Sequence, residues 1–128
     1  MSALIPKDGH YAVSQAWIDD WQRQGNAFAG PESFLTEVGC AVGRDPSRAG
    51  LARLAVSNIM SSPQFELTAV DRQLAEEGAD LGIQIQLRGA DALYVAVAKR
   101  LRVPIVTWDN EILDRASSVG VTARVPSI

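Results

Sequence analysis

Two carboxylates in this chain stand where acids are uncommon, and their surroundings suit the binding of a cation. Asp91 is the only residue between Ala90 and Ala98 that is neither apolar nor aromatic. Asp109 directly follows the apolar run at 105–108. A helix that is apolar on all sides belongs in the middle of a fold, so an acid within it needs a partner or a ligand.

A third acid, Glu37, flanks the apolar stripe of a predicted helix at 33–42. Each acid also has a simpler interpretation, because Asp91 and Asp109 could cap helices and Glu37 could be a surface charge. These interpretations weaken if the acids converge, since clustered carboxylates repel one another unless a divalent cation lies among them. Oxygen ligands favour Mg²⁺ or Mn²⁺, and the lack of paired His or Cys residues argues against zinc.

The elements that must position these acids alternate between helices and short strands, which indicates an α/β fold. Helices are predicted at 10–24, 33–42, 46–59, 72–86, from 89 towards Pro104, and at 110–118, and strands at 27–29, 65–69, 105–108 and 121–125. The apolar strand at 105–108 is typical of a parallel strand that is buried on both faces. Its carboxyl end leads into Asp109, at the sheet edge where ligands bind in open α/β folds.

Composition limits the class of protein. The 128 residues are 47% hydrophobic and predict a single domain over 1–128. The net charge of −3 excludes a general attraction to nucleic acid, so RNA contacts would need a local basic patch. Candidates for it are Arg44, Arg48, Arg53, Arg88, Lys99, Arg100 and Arg102. Cys40 is the only cysteine, which excludes an internal disulfide, and we expect it to be a small buried side chain. The sequence has no long apolar run, which predicts a cytoplasmic protein without a membrane span.

Three short motifs, in this order along the chain, resemble the PIN domain, specifically the VapC-type toxins of bacterial toxin–antitoxin pairs. They are Thr36-Glu37-Val38, Arg88-Gly89-Ala90-Asp91-Ala92 and Val106-Thr107-Trp108-Asp109. The resemblance implies a three-layer α/β/α fold with a short parallel sheet. It also implies a metal-dependent ribonuclease that hydrolyses RNA phosphodiester bonds and pairs with a cognate antitoxin.

The resemblance also assigns roles to residues. It places the second, third and fourth acids of the family on Glu37, Asp91 and Asp109, which would hold Mg²⁺ or Mn²⁺. Thr107 falls on the hydroxyl residue of the family, which is expected to orient a carboxylate or a water on the metal.

The beginning of the chain departs from the family, which starts with a central strand that ends in an acid and then has a short helix. Residues 1–6 resemble that short helix, so we expect the first central strand and the first acid to be absent from this sequence. Asp8 and Asp19 are poor substitutes, because they lie in a predicted turn and on the polar side of a helix. A start site assigned too far downstream or a shortened chain would explain the departure, and an inactive relative is the alternative.

Two other classes of function remain open at this point. A PIN-fold module that binds an antitoxin or another protein without cleaving RNA would explain the missing acid. A phosphoryl-transfer protein of the receiver or haloacid-dehalogenase kind would also gather acids at strand ends, but it needs a lysine near the site. Lys99 lies too far along the predicted helix to serve there.

Apolar side chains on predicted outer helices indicate a protein partner and a homodimer. Trp17 and Trp21 form an aromatic stripe, and Leu51, Leu54 and Ile59 form a second apolar stripe. A small domain does not need all of these side chains for its own core, and such a surplus is typical of an interface.

Overall fold

A computed structural model describes residues 3–5 and 11–127, with side chains from residue 16 onward. The strands within these ranges are β1 (Ala3–Ile5), β2 (Phe28–Pro31), β3 (Phe65–Thr68), β4 (Ile105–Thr107) and β5 (Ala123–Arg124). The α-helices are α1 (Tyr11–Arg23), α2 (Ser33–Val42), α3 (Ala49–Ser61), α4 (Arg72–Ile85), α5 (Gly89–Leu101) and α6 (Asn110–Arg115). Short 3₁₀ helices lie at Pro46–Arg48 and Ala116–Val119.

Parallel pairing joins the strands. β4 pairs with β1 on one side and with β5 on the other, while β2 pairs with β3. β1 also lies beside β2, so the spatial order of the strands is β3, β2, β1, β4, β5. Parallel neighbours need crossover connections, which the helices supply. The predicted α/β fold with a short parallel sheet is confirmed.

The core lies on both faces of this sheet. Ile105 packs in a cluster with side chains of α4 and α5, whereas its neighbour Val106 packs with Trp17 of α1 and Phe28 of β2. Successive residues of a strand point to opposite faces, so these two clusters cover opposite faces of the sheet. The arrangement is therefore three layers, α/β/α.

Helix α5 is buried on most of its surface, as the sequence predicts. Tyr94 to Ala98 are all at most 4% exposed, and Val95 and Val97 are fully buried. The α5 helix packs along α4, where Gly78 and Gly82 allow close approach: a Cβ at Gly78 would lie 3.2 Å from Leu93, and one at Gly82 would lie 3.3 Å from Ala92.

The expectation that the first central strand is absent is wrong. Ala3–Ile5 forms β1, which pairs with β4 from Ala3 opposite Ile105 to Ile5 opposite Thr107. The physical reason is that β4 would otherwise leave a row of backbone N–H and C=O groups unpaired, and the apolar segment Ala-Leu-Ile can satisfy them as a strand. Residues 6–10, which include Asp8 and His10, lie outside the described residues.

The aromatic stripe of α1 is not an outer surface. Trp17 is only 6% exposed and packs against Phe28 and Val106 of the same chain. Trp21 is half-buried, stacks on Trp17, and donates its indole N–H to the carbonyl oxygen of Ala27 at 2.8 Å. The inference of a partner from these two residues is therefore wrong, because the sheet of their own chain covers them.

Cys40 is exposed, which corrects the expectation of a buried thiol. It follows the half-buried Val38 by two residues, about 200° around an α-helix, and therefore points away from the side that Val38 packs.

Capping residues define several helix ends. The Asp71 carboxylate accepts a hydrogen bond from the backbone N–H of Leu74 at the start of α4, and Asp45 accepts one from Ser47 beside Pro46. Gly120 closes the last helical segment at φ +82°. The α-helical part of that segment is shorter than the predicted helix at 110–118, because α6 ends at Arg115 and the chain continues as a 3₁₀ helix.

Candidate functional site

Glu37 and the buried Tyr94 join α2 to α5. Tyr94 is 4% exposed, and its hydroxyl donates to Oε2 of Glu37 at 3.2 Å. Glu37 lies on the second turn of α2, and α2 begins two residues after the buried carboxyl end of β2. The hydrogen bond thus fixes a carboxylate of an otherwise exposed residue over the centre of the fold.

Asp91 belongs to the same group. It lies in the first turn of α5, one turn before Tyr94, and its negative charge acts on both Glu37 and Tyr94. Burial raises the pKa of the Glu37 carboxyl, the Tyr94 hydrogen bond opposes that rise, and the charge of Asp91 adds to it. Burial, followed by the charge of Glu37, raises the pKa of the Tyr94 phenol, which therefore stays protonated as a donor.

Asp109 and Thr107 form a separate polar turn at the carboxyl end of β4. The hydroxyl of Thr107, which is fully buried, accepts a hydrogen bond from the backbone N–H of Asp109 at 3.0 Å. Oδ1 of Asp109 accepts from the backbone N–H groups of Glu111 at 2.9 Å and Ile112 at 3.2 Å. Asp109 is therefore the N-cap of α6, and Thr107 holds the turn in which it lies.

The structure brings two of the three predicted acids together. Asp91 lies close enough to Glu37 for its charge to raise the pKa of the Glu37 carboxyl, and Tyr94 of α5 donates a hydrogen bond to Glu37 of α2. Among residues 16–127, whose side chains are described, no group of three or more His, Cys, Asp or Glu is placed to hold a metal ion. A cation site that also includes Asp109 stays a prediction.

Sequence reasoning overlooked Tyr94. A signal for it was present, because Asp91 and Tyr94 are three residues apart and such residues lie on one face of a helix. A phenol on the same face as the acid of a buried helix can reach a second acid.

An apolar cavity of about 220 Å³ adjoins this site. Its lining residues are Ile18, Phe28, Ala29, Gly30, Phe34, Val38, Phe65, Leu67 and Tyr94. Phe65 stacks on both Phe28 and Phe34, with ring centroids 5.3 and 6.2 Å apart. Tyr94 thus has its ring in an apolar wall and its hydroxyl on a carboxylate, and the low polarity of that wall strengthens the hydrogen bond to Glu37.

A family model for the PIN domain matches residues 2–118. The chain belongs to the PIN domain family. PIN domains are generally nucleases. The candidate acids therefore lie in a fold whose members generally cleave nucleic acid.

Solved structures agree on the fold. A chain of a toxin–antitoxin complex from Klebsiella pneumoniae aligns with a TM-score of 0.54 and 16% identity, covering 88% of this PIN domain chain and 90% of that chain. No curated protein matches the sequence. In the described part of this PIN domain, every helix is too short or too polar to cross a membrane.

Proposed function

We propose that this PIN domain is a metal-dependent endoribonuclease, the toxin of a toxin–antitoxin pair. The observation that carries the proposal is the proximity of Asp91 to Glu37, whose carboxylate accepts a hydrogen bond from the buried Tyr94 across α2 and α5. The PIN family membership supports nuclease chemistry. The toxin role is supported by the fold likeness to a chain of a toxin–antitoxin complex.

The paired acids fit a hard divalent cation. Burial and the neighbouring Asp91 both make the negative charge of Glu37 costly, as the raised pKa of its carboxyl shows. A cation between two such carboxylates offsets that cost, and oxygen ligands suit Mg²⁺ or Mn²⁺. Glu37, Asp91 and Asp109 are the proposed ligands. When bound, the ion supplies Lewis-acid charge compensation for the phosphate and makes water more acidic.

The residues of the chain itself contribute positioning. Tyr94 orients Glu37 and keeps that carboxylate near Asp91. Thr107 fixes the backbone of Asp109, and the cap of α6 then sets the direction of the Asp109 carboxylate. Because these carboxylates are held in place before the substrate binds, less entropy is lost when the reaction takes place.

The proposed partners are RNA, a cognate antitoxin and a second copy of the chain, in the cytoplasm. Helix α3 supports a protein contact, because Leu51 and Leu54, three residues apart on one face, are each 56% exposed. These side chains share one helix, and exposed apolar residues grouped in this way are typical of interfaces.

One observation favours a second candidate, a PIN-fold binding module with impaired catalysis. Oδ1 of Asp109 is already engaged in capping α6, and the acids of the described part form no group of three. The receiver and dehalogenase classes gain no support, since Lys99 lies in the last turn of α5, far along that helix from Asp91.

Replacement of Asp91 tests the ribonuclease proposal. Asp91→Asn keeps the shape of the side chain and removes its charge, so we expect RNA cleavage with Mn²⁺ to fall by about 100-fold or more, while the melting temperature stays within a few degrees. Glu66→Gln, which removes an exposed carboxylate from β3, is the control and should retain activity. If the unaltered chain cleaves no RNA with Mg²⁺ or Mn²⁺, or if Asp91→Asn cleaves equally well, the binding module is the correct assignment.

A further inference from the structure

A cleft on another side of the molecule collects positive charge. It has a volume of about 630 Å³ and lies between the last turns of α5 and the residues that lead into β4 and β5. Lys99 and Arg102 line it from the end of α5, and Arg124 lines it from β5. All three side chains are exposed.

The cleft lies at the opposite sheet edge from the candidate site. Its lining includes Pro104, just before β4, and Thr122, just before β5. Since β4 and β5 are parallel, these residues mark the amino ends of both strands. Thr107 and Asp109 lie at the carboxyl end of β4. The cleft is therefore a surface separate from the carboxylates.

No carboxylate among the described residues neutralises the charges in the cleft. Elsewhere, arginines such as Arg72 and Arg100 pair with carboxylates, at 3.1 Å to Glu76 and 3.0 Å to Glu77. Within the part of the chain that the structure describes, the three cations of the cleft form no ion pair. In a chain of net charge −3, this is positive charge that remains available to a ligand.

The walls of the cleft strengthen this field. Ala98, Val103, Pro104 and Val119 line it with aliphatic surface, and a cleft with charges of one sign and low-dielectric walls focuses its potential. Its lining residues, all within the described ranges, include no aromatic ring on which a base could stack. The lining therefore suits the charged backbone of a polyanion.

We propose that this cleft binds the phosphodiester backbone of RNA, as an anchoring contact remote from Glu37 and Asp91. The inference rests on the proposed ribonuclease function and names a surface that holds its substrate. Without a bound cation, the carboxylates at the candidate site repel phosphates, so a separate cationic surface would favour RNA binding by a chain of net charge −3. Exposed, unpaired cations are typical of sequence-independent contacts to the phosphate backbone.

RNA binding by the whole chain in EDTA, where a divalent ion cannot support cleavage, tests the proposal. Fluorescence anisotropy with a labelled single-stranded RNA would compare the unaltered chain with Lys99→Gln/Arg124→Gln across a series of salt concentrations. Arg102 is left in place because it also ends α5 at φ 57°. We expect the double variant to bind about tenfold more weakly at low salt, and the slope of log affinity against log salt to fall by about 1.4, which is about 0.7 for each lost phosphate contact.

The matched control is Arg23→Gln/Arg72→Gln, which removes two positive charges that are already paired with Asp20 and Glu76. It should change affinity less than twofold. Equal weakening by both double variants, or no RNA binding by the unaltered chain, overturns the assignment. Poly-glutamate serves as a second probe. If Lys99→Gln/Arg124→Gln loses binding to poly-glutamate but keeps its binding to RNA, the proposal is overturned and the cleft is assigned to an acidic polypeptide. The RNA-binding assay in EDTA does not depend on catalysis, so it tests the cleft alone. The cleavage assay with Asp91→Asn tests the proposed ribonuclease function separately.

Discussion

At the scale of single residues, the site depends on one hydrogen bond between a buried donor and a carboxylate. Tyr94 is the donor, and Glu37 is the acceptor whose pKa is raised by burial and by Asp91. A carboxyl with a raised pKa binds its proton more readily in the folded chain than in the unfolded chain. Its protonation therefore stabilises the fold, and that contribution is lost as the pH rises through the folded pKa.

Glu37→Gln should remove this dependence on pH. In the unaltered chain, we expect the free energy of unfolding to fall as the pH rises from about 4.5 through the raised pKa of Glu37, because the ionised carboxylate is less favourable in the fold. Glu37→Gln should show a smaller fall, whereas Glu66→Gln should show the same fall as the unaltered chain. Urea unfolding from pH 4 to pH 7 measures the difference. Identical curves for all three chains would contradict the prediction.

Tyr94→Phe should raise the pKa of Glu37 further, because it removes the one interaction that lowers it while it keeps the ring in place. Carbon NMR of the labelled carboxyl carbon across a pH titration measures this shift directly. A lower pKa in the variant would mean that the hydrogen bond is not what holds the carboxylate.

At the scale of elements, the close packing of α4 on α5 places Asp91. Gly78 lies opposite Leu93, where even a Cβ would be within 3.2 Å of the leucine side chain. We expect Gly78→Leu to lower the free energy of unfolding by about 1–3 kcal/mol through overpacking. Gly50 of α3 has no atom within 4 Å of an added Cβ, so Gly50→Ala should leave stability unchanged or slightly raised. Thermal melts of both variants test the contrast, and equal melting temperatures would contradict it.

Most elements could be predicted from sequence, because periodicity and capping residues report local backbone preferences. The buried α5 and the cap at Asp109 are examples. β1 could not be predicted, since a resemblance placed it outside the chain while the pairing needs of β4 are a property of the assembled sheet. The contact of Tyr94 with Glu37 joins residues 57 positions apart, and local patterns do not carry such information.

At the scale of the whole molecule, the exposed apolar side chains of α3, the paired acids and the basic side chains of the cleft each lie in a different part of the structure. The apolar residues Leu51 and Leu54 are exposed on α3, while the paired acids and the basic cleft occupy other regions. Under the proposed function, RNA in the basic cleft and a protein partner on α3 would therefore contact different surfaces of one chain.

Leu51→Glu/Leu54→Glu should dissociate the proposed homodimer. Charged side chains at the centre of an apolar interface would be buried without partners, which disfavours association. Ile83→Glu provides the control, because Ile83 is 72% exposed but lies on α4. Light scattering after size exclusion should give a dimer for the unaltered chain and for the control, and a monomer for the double variant. A monomeric unaltered chain would exclude the homodimer.

The stacked indoles of Trp17 and Trp21 make the docking of α1 visible by optical spectroscopy. Their ring centroids are 5.2 Å apart and their planes differ by 16°. Two chromophores at that distance couple their electronic transitions, so the pair should produce an exciton couplet in circular dichroism that a single indole cannot produce. Trp17 of this pair packs against Phe28 and Val106, so the couplet would follow the seating of α1 on the sheet.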